Sequence, residues 1–149
     1  MLPIGVMPDA VAKLLATGKH VISEKPIAPT IAAGRRLIAQ HNAPKGQVWM
    51  VAENWRYEAA FQQAGQRVRA GEIGTPVTCH YAVNMAIPPS SKYFHSAWRR
   101  AGDFPGGSLL DAGVHHIAAL RTVVGEIDAV NAVVTQVDQT LPPADTLSA

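Results

Sequence analysis

Apolar residues in the first third of the chain alternate between helical spacing and short continuous runs. Residues 9–17 carry apolar side chains on one face and predict a short helix, and the run 20–23 predicts a buried strand. A second helical pattern follows and is expected to end at Asn42 and Pro44, before a second strand over 48–52. Helices and strands in this alternation, with short connections, are typical of a parallel sheet covered by helices. We therefore predict an α/β fold.

The pattern changes after residue 57. Four residues recur at helical spacing and predict a third helix: Phe61, Ala64, Gly65 and Val68. Strict alternation over 77–85 predicts a strand with one face in a core, and a proline- and serine-rich connection follows over 86–105. Residues 108–124 form the clearest helical pattern, and 127–137 predict another strand.

Composition narrows the function classes. The chain has 149 residues, of which 48% are hydrophobic, and its 13 basic and 11 acidic residues form no long run of one sign. We therefore expect neither a nucleic-acid surface nor a membrane surface. Cys79 is the only cysteine, so an internal disulfide is excluded and a reducing compartment is favoured. No apolar stretch is long enough to span a bilayer, and we expect a cytoplasmic protein.

The most informative segment is Glu24-Lys25-Pro26, which follows the first predicted strand directly. Proline cannot donate to a strand ladder, so the strand should end here and leave a carboxylate beside an amine. In open α/β sheets, ligands bind outside the carboxyl ends of the strands. The sequence therefore places Glu24 and Lys25 where small molecules bind.

A second candidate pair lies in the predicted helix 108–124. Asp111 and His115 are four positions apart and share one helical face. Histidine, with a reference pKa of about 6.5, suits the transfer of a proton near neutral pH. Four apolar residues on the opposite side form the expected packing stripe: Leu110, Val114, Ile117 and Val124. We expect the pair to point away from that stripe.

Each of these residues has an ordinary alternative. Ser108-x-x-Asp111 also fits a helix capping box, in which the carboxylate folds back onto the first turn. His115 or His116 could be a partly buried structural histidine, and Lys25 could be a solvated strand end. A metal site is not expected, because the sequence contains neither H-E-x-x-H nor C-x-x-C.

Three segments, in order, resemble the Gfo/Idh/MocA oxidoreductases, a family of nicotinamide-dependent sugar, polyol and diol dehydrogenases. Gly-Lys-His-Val at 18–21 with Glu24-Lys25-Pro26 is similar to the family signature. Asn-Trp-Arg-Tyr at 54–57 resembles the crossing from cofactor domain to substrate domain. Residues 106–115 resemble the glycine-rich turn and Asp-x-x-x-His helix, and together with 141–146 they look closest to fungal-type members.

The resemblance implies roles for particular residues. Lys25, Asp111 and His115 would be catalytic, with His115 accepting the proton and Lys25 bonded to the reacting hydroxyl. Five residues would contact NAD or NADP: Glu24, Lys25, Pro26, Asn54 and Arg56. Asn54 and Arg56 could instead pin the junction between domains. Trp98 and Arg99 would contact substrate, although a surface anchor is an equal alternative.

The resemblance also implies the organisation of the chain. Residues 1–56 would be the C-terminal part of a Rossmann-like parallel sheet, and 57–149 part of an α+β substrate domain with a mainly antiparallel sheet. The twelve glycines build no G-x-G-x-x-G turn. We therefore expect a fragment, either a truncated gene product or an incomplete gene model, that is inactive alone; a natural short paralogue is the alternative.

The expected function is hydride transfer between NAD or NADP and a sugar, polyol or diol, by a homo-oligomer in the complete form. One rival is a non-catalytic remnant that associates with full-length relatives. Another is an NAD-dependent glycoside hydrolase of the same fold.

Overall fold

The first part of the chain forms two helices beside a parallel pair of strands. A computed structural model describes residues 2–41 and 46–149, so the predicted helix end at Asn42 and Pro44 lies outside the described residues. The elements are α1 (Met7–Leu15), β1 (Val21–Ser23), α2 (Ile31–Gln40) and β2 (Trp49–Val51). Strands β1 and β2 pair in parallel, with Val21 opposite Trp49 and Ser23 opposite Val51. The predicted α/β fold is confirmed.

A small apolar core holds these elements together. Its buried members come from α1, β1 and α2: Met7, Val11, Leu15, Val21 and Leu37. The three α1 residues are spaced four apart, so one face of that helix is buried. The buried Ser23 accepts a hydrogen bond from the Trp49 indole at 3.0 Å. The core thereby fixes the end of β1, where Glu24 and Lys25 follow.

The second part is mainly helical. A 3-10 turn (Asn54–Tyr57) leads into α3 (Ala59–Arg69), and α4 (Ala97–Ala101) precedes the long helix α5 (Gly107–Val124). Helix α5 packs on α3 and on the 3-10 turn. The close approach occurs at Gly65, where an added Cβ would lie 2.2 Å from the Thr122 carbonyl oxygen.

The predicted packing face of α5 is wrong. Ala119, on the same side as Asp111 and His115, is only 2% exposed, whereas Ile117 in the predicted stripe is 47% exposed. Small side chains allow α3 and the 3-10 turn to approach closely, so proximity of backbones decides which face is buried. The catalytic candidates therefore face the rest of the chain.

The predicted strand over 77–85 does not form. The segment has no regular secondary structure, Val77 is 97% exposed, and within the described residues no strand pairs with it. Alternation indicates two different faces, but a strand also requires a hydrogen-bonded neighbour. Further on, only Val133–Thr135 (β3) of the predicted 127–137 strand is regular. It pairs antiparallel with β4 (Thr146–Ser148), which the sequence pattern did not predict.

None of the helices in 2–41 and 46–149 combines the length and the apolar character needed to cross a lipid bilayer.

Candidate active site

Lys25 and Asp111, which are 86 positions apart in sequence, form an ion pair. The Lys25 ammonium donates to Asp111 Oδ1 at 2.9 Å and to its main-chain oxygen at 2.6 Å. Both side chains are largely buried. The capping-box interpretation of Asp111 is wrong, because Ser108 lies inside α5 and the helix begins without a side-chain cap. The Asp111 carboxylate is therefore available to two cations, of which one follows β1 and the other lies in the 86–105 connection.

The second cation is Arg99. Its Nε and Nη2 atoms both lie 2.8 Å from Asp111 Oδ2, and its Nη1 donates to Ser96 Oγ at 2.8 Å. The guanidinium also lies over the rings of Trp98 and Tyr93, at 4.1 and 4.9 Å from their centroids. A buried guanidinium needs acceptors for its N–H groups, which Asp111 and Ser96 provide, and the two aromatic rings add a cation–π attraction. Arg99 thus ties the long 86–105 connection to Asp111.

His115, one helical turn after Asp111, contacts a carboxylate that the sequence reasoning missed. Its Nδ1 lies 2.6 Å from Glu53 Oε1, and the Glu53 side chain is buried. The same oxygen accepts the Trp55 main-chain N–H at 3.1 Å, and the Trp55 ring stacks on His115 with centroids 5.4 Å apart. Glu53 could have been found from its place just after β2, which matches that of Glu24 and Lys25 after β1.

The neighbouring imidazole, His116, points elsewhere. Its Nδ1 lies 2.9 Å from the Tyr81 hydroxyl, and its ring meets the Trp55 ring edge-on. Burial lowers the pKa of His116, and the adjacent His115 lowers it further. His116 is therefore held mainly as a neutral ring near pH 7. Among the described residues, no three His, Cys, Asp or Glu side chains are grouped so as to hold a metal ion.

The remaining predicted site residues lie at the strand ends. Glu24, Asn54 and Arg56 are exposed, and Pro26 is buried. Because β1 and β2 are paired in parallel, the segments that carry these residues leave the sheet at one edge. Trp98 packs against Phe104, with ring centroids 5.5 Å apart. The three segments that were quoted for the family resemblance thus contribute to one region.

Comparisons with known proteins identify the family of the chain. A family model described as the GFO/IDH/MocA C-terminal domain matches residues 61–149. Dehydrogenase FPY6 of Fusarium mangiferae is 34% identical over 97% of this chain and 42% of its own length. Levoglucosan dehydrogenase of Pseudarthrobacter phenanthrenivorans is 36% identical over 79% of this chain and 30% of its own length. The chain therefore spans less than half the length of these relatives.

The structural comparison gives the same result. The crystal structure of an oxidoreductase from Thermotoga maritima matches with a TM-score of 0.87 and 32% identity, over 99% of this chain and 45% of that one. Other relatives are named as dehydrogenases or reductases of sugars and inositols. On these grounds, together with the three sequence segments and their convergence, the chain belongs to the Gfo/Idh/MocA family of oxidoreductases.

Proposed function

We propose that this chain supplies the reacting side chains of a dehydrogenase that moves hydride between NAD or NADP and a hydroxyl of a sugar, polyol or diol. The contact between Lys25 and Asp111 is the observation that carries this proposal. It joins an amine at a strand end to the face of α5 that also carries His115. We further propose the division of the chain into residues 1–56 and 57–149, with the site at their junction.

Oxidation of an alcohol requires a group that takes the hydroxyl proton and groups that stabilise negative charge on the oxygen. The Lys25 ammonium supplies a charged donor, and the imidazole of His115 supplies the acceptor. Asp111 binds both Lys25 and Arg99, so it fixes the position of the ammonium. Two cations on one carboxylate leave a net positive charge that favours a substrate oxygen becoming anionic.

The cofactor fits the edge where β1 and β2 end. Ligands in open α/β sheets occupy that crevice, and Glu24, Asn54 and Arg56 offer exposed polar side chains there. With Pro26 and Lys25, these residues would hold the nicotinamide end of NAD or NADP, which supplies the hydride acceptor. Trp98 and Arg99 would then border the substrate from the long connection, with Arg99 acting through Asp111.

The proposal is tested by measuring hydride transfer by the native protein and by its variants, each produced in the native host. A panel of sugars, polyols and inositols is offered with NAD or NADP, and nicotinamide absorbance is followed. Removal of a general base costs about 10²–10⁴-fold in rate, so His115→Ala should lose at least about 10²-fold, and Lys25→Ala should also fall steeply. Lys19→Ala, a change at an exposed lysine of the same segment, is the control. Unchanged turnover in both site variants would refute the proposal.

A further inference from the structure

We propose that Glu53 is a positioning residue for His115. It accepts the hydrogen bond from His115 Nδ1–H, and the ring nitrogen left to take a proton from substrate is then Nε2. The inference rests on the proposed role of His115 as the proton acceptor. It is carried by the distance of 2.6 Å between Glu53 Oε1 and His115 Nδ1, and by the burial of Glu53, which is only 8% exposed.

Contacts within its own segment hold the Glu53 carboxylate in place, independently of the His115 ring. Glu53 follows β2, and its main-chain N–H donates to the Val51 carbonyl oxygen at 2.8 Å. The Trp55 N–H then donates to Glu53 Oε1 at 3.1 Å, so the side chain caps the 3-10 turn. A carboxylate fixed by its own segment can select one tautomer of a ring that comes from another segment.

Trp55 restricts the orientation of the His115 ring plane. Its indole stacks on the His115 ring with an interplanar angle of 25° and a centroid distance of 5.4 Å. The indole restricts the plane of the imidazole, and the carboxylate decides which nitrogen faces inward. Together, the two contacts fix the direction in which the Nε2 lone pair points, as a proton acceptor requires.

The charge on Glu53 has a further consequence. Within the described residues, its Oε2 atom is buried and has no hydrogen-bond partner. A carboxylate that is only half satisfied is costly to bury, and a positive charge on the adjacent ring offsets this cost. When His115 accepts a proton, Glu53 therefore stabilises the imidazolium. Asp111, one turn away, is already engaged by Lys25 and Arg99.

Nitrogen-15 NMR of the imidazole rings in the full 149-residue chain tests this assignment. The native chain should show neutral His115 protonated at Nδ1, the tautomer that is less favoured for free histidine in water. Glu53→Leu should abolish this preference, whereas Glu53→Gln should keep it, because the amide oxygen can still accept. Glu58→Gln, a charge change at an exposed residue five positions along, is the matched control. His116, bonded to Tyr81, provides an internal reference.

An Nε2–H tautomer of His115 in the native chain would overturn the inference, even if Glu53→Leu fails to fold. An unchanged Nδ1–H preference in a folded Glu53→Leu chain would do the same. In the native-source enzyme, Glu53→Leu should reduce kcat about 10²-fold with little change in KM. Loss of the proposed function would show separately, as turnover that does not respond to His115→Ala while the tautomer remains as described.

Discussion

Replacement of Gly65 by alanine should destabilise the packing that places the site helix. Gly65 is buried in α3, and the added Cβ would lie 2.2 Å from the Thr122 carbonyl oxygen and 2.9 Å from Arg69 Nη1. The arginine end can move, but the carbonyl belongs to the backbone of α5. Relief of the clash therefore requires the two helices to separate, and the hydrogen bond of 3.1 Å from Arg69 to the Thr122 oxygen is strained as they do.

Two opposing effects determine how much Gly65→Ala changes the unfolding free energy. Alanine is favoured over glycine inside a helix by about 1 kcal/mol. Overpacking of a close interface costs about 1–3 kcal/mol, and a clash with backbone should lie at the upper end of that range. The unfolding free energy of Gly65→Ala should thus fall by about 1–2 kcal/mol, as the difference between these effects.

Comparison with Gly113→Ala in α5 separates the cost of overpacking from the gain in helix propensity. A Cβ at Gly113 meets nothing within 4 Å, so this variant should gain about 0.5–1 kcal/mol from the backbone alone. Urea unfolding followed by circular dichroism at pH 7 measures both, with equal m-values as the condition for comparison. Equal stabilisation by the two substitutions would refute the close approach of α3 and α5.

Two further predictions concern charge. Asp111→Asn removes the anion between Lys25 and Arg99, so the unfolding free energy at neutral pH should fall by about 1–3 kcal/mol; a variant as stable as the native chain would contradict the ion-pair geometry. Because the pKa of His116 is lowered on folding, the unfolded chain binds a proton that the folded chain resists as pH falls below about 6.5. The unfolding free energy of the native chain should therefore fall relative to that of His116→Gln between about pH 7 and pH 5. If the unfolding free energies of the two chains depend on pH in the same way, this contribution is disproved.

Local patterns were sufficient for the first part of the fold. Val11 and Leu15 of the predicted helix lie on its buried face, and the short apolar run before Glu24 forms a strand, in which Val21 and Ser23 are buried and Ile22 is exposed. The proline after Lys25 marks the end of that strand, whatever else surrounds it. These features depend on residues that are close in sequence, so the sequence alone predicts them.

The features that sequence reasoning missed depend on distant partners. The alternation over 77–85 predicts two faces, but it does not provide a pairing strand. The burial of Ala119 depends on α3, which approaches because Gly65 has no side chain. The contact of the Arg99 guanidinium with Asp111 was also missed, because the position of Asp111 is set by α5. In each case the deciding neighbour lies far along the chain.

The spacing of Asp111 and His115 follows from the spacing of the two strands. Lys25 and Glu53 each lie two positions beyond paired residues, Ser23 and Val51, so they leave the sheet at equivalent points. Neighbouring strands are about 4.8 Å apart, and one helical turn rises about 5.4 Å. A helix that crosses both strand ends can therefore present one residue to each only when those residues are about one turn apart. The Asp-x-x-x-His spacing meets this condition, which is why one helix contacts both the amine after β1 and the carboxylate after β2.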